Sequence, residues 1–168
     1  MSFVFKKSRN ANGGRELVEC VLGDSTLFSV GMAVKYDSGT LVVWTGGAGA
    51  GIITAIRKAD GSPITDDGLG DDFEGSYTTP ASNTVVAVID VSTDSIYSCA
   101  ADAALGTTND SDDQGINLDA ATGSITLDES TAEVAGTTAA FNSHGEDTSE
   151  GAPDNSLLVS IQESQVKI

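Results

Sequence analysis

Between Lys58 and Lys167 the chain has no lysine and no arginine, yet this stretch holds twenty-one of the 25 carboxylates. A segment with acids and no cations has no salt bridges of its own. Most of those carboxylates are therefore expected in water, on an outward face. Histidine occurs once (His144) and cysteine twice (Cys20, Cys99), too few for a zinc site, which takes several such ligands. Aromatics make up 5% of the chain, so the core is expected to be built mainly from Val, Ile, Leu and Ala. No apolar run is long enough to cross a bilayer; Thr84–Val91 is among the longest. The start, MSFVFKKSRNANGG, lacks the apolar run of a signal peptide.

What is present is strongly polarised. Residues 1–58 carry seven Lys/Arg against four Asp/Glu, a net of +3, and residues 59–168 carry one against twenty-one, a net of −20. The overall charge of −17 repels phosphates and speaks against nucleic acid as a partner. It favours solubility. A chain of 168 residues suits one domain or two very small ones.

Strand signals run along most of the sequence. Residues 3–7 alternate apolar and polar, as an edge strand or an extended arm does, and Asn10–Gly14 reads as a flexible joint. Residues 16–22 and 32–45 follow, the latter a β-hairpin around Asp37-Ser38-Gly39. GGAGAG at 46–51 reads as a mobile glycine stretch before a strand at 51–58. Thr84–Ser92 is the most strand-like segment, Ser95–Ala100 alternates cleanly, and Ser156–Glu163 closes the fold as a buried strand. Ile116–Asp119 and Ser124–Asp128 flank a hairpin turn. Residues 100–105 are the best helical candidate. Acidic loops are expected at 60–76, 107–115 and 142–155. Short strands about ten residues apart, with turn signals between them, predict an all-β fold: an antiparallel β-barrel or sandwich with an N-terminal arm at 1–15 and long acidic loops. Residues 16–168 then form a single β domain, or two small β modules.

The search for chemistry returns no catalytic residue, metal site or cofactor. His144 is expected to be an exposed loop histidine, with no G-x-S-x-G nucleophile beside it. GGAGAG lacks the Lys-Ser/Thr of a phosphate loop and leads into a strand, not a helix. Asp110–Gly115 looks like the start of a calcium loop, but Ala121 stands where the bidentate Glu belongs. Asp66, Asp67, Asp71 and Asp72 are expected as solvated acids. The two thiols are expected buried and reduced, though a disulfide between them stays open.

The early cations are the other charge feature. Lys6, Lys7, Arg9 and Arg15, with Phe3 and Phe5 as anchors, suit an extended segment that adds to another chain; a frayed terminus is the alternative. Lys35, Arg57 and Lys58 would supply a second contact.

The order of several segments is similar to the capsid decoration (cement) proteins of tailed bacteriophages and related head proteins. These are SVGMAVKYDSG (29–39), GIITAIRKADGSPI (51–64), YTTPASNTVVAVIDVS (77–92), SIYSCAADAALGTT (95–108), GSITLDES (123–130) and LLVSIQESQ (157–165). The resemblance implies a non-enzymatic virion protein on the outer capsid surface. It implies a homo-oligomer, often a trimer, bound to the major capsid protein and tying capsomers together, with no membrane partner. The other candidates are a head fibre base, a neck or tail protein, or a carbohydrate-binding adhesion module.

Overall fold

Period-two patterning in the sequence becomes an antiparallel, all-β architecture with no helix among the described residues. The computed structural model describes residues 3–9, 14–45, 49, 51–58, 76–103, 112–118, 126–134, 139–152 and 155–162. The expected joint at 10–13, most of the 46–51 glycine stretch, the loop carrying Asp66, Asp67, Asp71 and Asp72, Asp110 and Lys167 lie outside them.

The first half of the chain supplies β1 (Val4–Ser8), β2 (Leu17–Val21), β3 (Leu27–Ser29), β4 (Ala33–Asp37), β5 (Thr40–Val43) and β6 (Gly51–Arg57). The second half supplies β7 (Ser76–Thr78), β8 (Val86–Asp90), β9 (Ser95–Ala100), β10 (Asp112–Leu118), β11 (Leu127–Val134), β12 (Phe141–Glu146) and β13 (Ser156–Ile161). They form a six-stranded sheet in the order β1-β9-β13-β12-β10-β11 and a five-stranded sheet in the order β2-β8-β6-β4-β5. A short β3-β7 ribbon completes the set. The result is sandwich-like, and neither sheet closes into a barrel. Isolated parallel bridges, Leu22 to Leu41 and Ala101 to Leu127, draw strand ends of each sheet together.

The two sheets share material. Along β6, Ile53 and Ile56 point into a core inside the five-stranded sheet, with Phe28, Val34, Leu41 and Ile89. Ile52 points the other way, into a second core with Trp44, Tyr97, Phe141, Leu157 and Ile161. On β4, Val34 and Ala33 divide in the same manner. Alternate residues of a strand face opposite sides, so a strand buried on both faces joins the two cores. The hairpin expected at 32–45 is present. Ser38 (φ 51°) and Gly39 (φ 97°) are both left-handed, as the two central residues of a type I′ turn must be.

Several expectations need correction. Of the two readings of residues 3–7, the structure has the edge strand: β1 pairs with β9 through Val4–Ser98 and Phe5–Tyr97. Residues 100–103 are not helical, because Ala100 ends β9 and Ala101 bridges Leu127. The polar segment at 142–155 begins as β12, and residues 112–115 belong to β10. The described glycines of the 46–51 stretch are packed rather than mobile. A methyl group at Gly49 would meet the Trp44 indole, and one at Gly51 the carbonyl oxygen of Asp90.

Candidate functional site

The chain between β8 and β9 crosses from one sheet to the other, and Asp90 sits at that corner, 0% exposed. A lone buried carboxylate is costly unless it is paired and hydrogen-bonded, and here four donors meet it. Oδ2 accepts from Arg15 Nε (2.8 Å), Ser95 Oγ (2.6 Å) and the Tyr97 hydroxyl, while Oδ1 accepts the Ser92 amide (3.0 Å). Arg15 Nη2 donates to the Tyr97 oxygen at 3.0 Å. Its guanidinium lies 4.1 Å from the centre of the Phe5 ring, a cation–π distance. Arg15 thus ties together β1, β2, β8 and β9. Burial, followed by the bond and charge of Asp90, pushes the Tyr97 phenol far up. Burial works against the charge on Arg15, but its bonds to Asp90 and Tyr97 outweigh that and raise its pKa. A phenol held protonated and a carboxylate met by four donors make a clamp between the sheets.

Beside the clamp, under β1, lies a cleft of about 140 Å³ lined by Phe3, Phe5, Arg15, Ile52, Thr54 and Tyr97, among others. Phe3 forms part of its wall. It is 4% exposed and stacks on Phe141 at 4.9 Å, with the rings 25° apart.

A second charged pair holds β1 from the outer side. Lys6 Nζ is 3.1 Å from Oδ2 of Asp147, whose side chain is 3% exposed. Asp147 Oδ1 accepts from the Ser149 amide (3.1 Å) and hydroxyl (2.6 Å). Burial acts to raise this carboxyl. The hydrogen bonds from Ser149 and Ser98, with Lys6 behind them, overcome it and hold the pKa well below the usual carboxylate range. A group depressed in the folded state contributes its full stability above its unfolded pKa, about 3.9, and loses it as pH falls further. The urea midpoint of the wild type is therefore expected to fall more steeply than that of Asp147→Asn below about pH 4. Parallel profiles in urea melts across that range would count against the pair.

Placement of the nine expected contact residues follows from this geometry. Phe3 is core, Phe5 packs edge-on to Tyr97 at 5.8 Å, and Lys6 and Arg15 are committed to Asp147 and Asp90. Arg9 faces Asp94 at 3.9 Å with both side chains 47% exposed, and Arg57 faces Glu19 at 3.4 Å. These two exposed pairs are worth about 0–1 kcal/mol each. Lys7 is exposed, and Lys35 and Lys58 are half-buried. Lys35 lies just past the Val34–Gly51 pair at the start of β6, and Lys58 follows its end, so about 25 Å of strand separates them. The early cations do not form one patch. Several instead meet the chain's own acids, and Asp90 and Asp147 are buried rather than solvated.

The scattered nucleophiles and thiols have structural places. His144 is a strand residue, not a loop residue: its Nε2 is 2.9 Å from Ser160 Oγ, and Ser160 is 0% exposed, beyond the reach of a substrate. Cys20 packs half-buried against the first core and Cys99 lies in the second. Both are free thiols whose pKa burial raises. Among the described residues no group of three or more His, Cys, Asp or Glu is placed to hold a metal ion. Sequence reasoning missed Asp90, Asp147 and Tyr97, and no spacing rule points to them. No protein family, curated protein or solved structure matches the chain.

Proposed function

We propose that this chain is a structural virion protein, a decoration (cement) protein on the outside of a tailed-phage capsid. It works as a homo-oligomer, a trimer by the resemblance, and strengthens contacts between capsomers. The carrying observation is segregated charge on an all-β frame. Twenty-one carboxylates lie after residue 58, while the exposed Lys7 and the half-buried Lys35 and Lys58 all come from the first 58 residues. The resemblance of the segment order to that of decoration proteins supports the same reading. A sandwich with two buried cores gives the rigidity that a load-bearing surface protein needs. Capsid contact falls to those lysines and to the outer edge of β1, which among the described residues pairs with β9 alone and so offers its other side for strand addition.

Size-exclusion chromatography with light scattering, run with and without expanded capsids, tests this. The full chain is expected to co-elute with capsids. The triple variant Lys7→Glu, Lys35→Glu, Lys58→Glu is expected to bind at least about tenfold more weakly, a loss of about 1.4 kcal/mol. Failure of the wild type to bind, or equal binding by a folded triple variant, refutes the reading.

A further inference from the structure

The first fifteen residues hold four cations and no acid, a net of +4, which leaves residues 16–168 at −21. Two copies of this body repel one another overall, and that segment is the most cationic stretch of the chain. β1 is also an exposed strand, with four of its five residues exposed. Among the described residues it pairs on one side, its register slips between Phe5 and Lys7, and Val4 is 55% exposed. It belongs to the six-stranded sheet, whereas β2, next in the chain, belongs to the other. Lifting β1 therefore breaks no hairpin. What it would uncover is specific: the edge of β9, the carboxylates of Asp147 and Asp94, and the hollow that Phe3 fills against Phe141. A strand carrying Phe and Lys at the positions of Phe3 and Lys6 fits that groove, and every other copy of the chain owns one.

We propose that β1 is an exchangeable strand, and that the acidic groove along β9 takes β1 from a second copy of this chain as well as its own. Exchange reuses the native contacts, so it needs no new complementarity. It gives the strongly anionic body an attractive route to self-association, and it stands whether or not the chain binds capsids.

Register supplies the test. Val4 and Ser98 are direct cross-strand partners, so chains bearing Val4→Cys and differently tagged chains bearing Ser98→Cys are mixed in full length and oxidised. A disulfide-linked heterodimer is expected in the mixture, absent from either variant alone and lost when the two are mixed in high salt, which screens the charge attraction. The double variant within one chain checks the geometry. Because Ser98 also supports Asp147, a second pair of variants avoids it. Lys6→Asp places like charges at its own groove, as does Asp147→Lys, but mixed they restore opposite charges at both grooves. Native mass spectrometry is expected to show heterodimers in that mixture and monomers in each alone. Heterodimers in either assay carry the proposal; monomers in both, with the single-chain disulfide formed, overturn it.

Discussion

Asp90→Ala is expected to destabilise the fold by about 3–5 kcal/mol, the usual cost of breaking a buried ion pair by removing one partner. The figure follows from what is left behind. Arg15 keeps a guanidinium that is only 25% exposed, and Ser95 and Tyr97 keep buried hydroxyls that donated to the lost carboxylate. Each stranded donor costs about 1–3 kcal/mol, so the loss is not confined to the ion pair. Tyr97→Phe removes one donor to Asp90 and the acceptor of Arg15 Nη2 but leaves Arg15, Ser92 and Ser95 as donors to the carboxylate, and is expected to cost about 1 kcal/mol. Arg9→Ala removes an exposed partner at 3.9 Å and is expected to change stability by less than about 0.5 kcal/mol. Urea unfolding of the three variants gives the order directly. If Asp90→Ala falls within about 1 kcal/mol of the wild type, water has replaced the carboxylate and the clamp is not what joins the sheets.

Much of the fold was legible because alternation is a local signal. β4 and β5, β8, β9 and β13 all fall where Val, Ile, Leu and Tyr alternate with small or polar residues, and Ser38-Gly39 announced its turn. β12 carries the residues FNSHGE, mostly polar, and so resembles a loop in sequence. Inward it offers Phe141 and Ser143, outward Asn142 and His144, and its burial comes from neighbouring strands rather than from its own apolar content. β3 and β7 are three residues each, too short for periodicity to register. The charge asymmetry was equally plain, but its resolution was not. A cation-free segment has no internal salt bridges, yet the fold lays the cationic start beside it, joining Lys6 to Asp147 and Arg15 to Asp90. Those contacts depend on which strand neighbours which, and sheet order is not a local property of sequence. The same limit turned Phe3 and Phe5 from expected anchors for another chain into contacts within this one.

Phe3→Ala separates those two roles. Truncating a buried phenylalanine ordinarily costs about 3–5 kcal/mol. Phe3 loses its stack on Phe141 and its edge contact with Tyr97 at 6.3 Å. Phe3 borders a cleft rather than a closed core on every side, so the lower end, about 3 kcal/mol, is expected. Phe5 is 36% exposed, and Phe5→Ala gives up only part of a side chain's burial together with the Arg15 stack, about 1 kcal/mol. Hydrogen exchange adds a spatial readout. β1 covers one edge of β9, so Phe3→Ala is expected to lower protection of the β9 amides that bond to β1 well before it affects β6 or β8. An anchor for an outside partner behaves in the opposite way: its loss leaves the isolated chain as stable as before and weakens only binding. A Phe3→Ala protein within about 0.5 kcal/mol of wild type, with β9 exchange unchanged, would place Phe3 outside the core and return residues 3–9 to the role of a reaching arm.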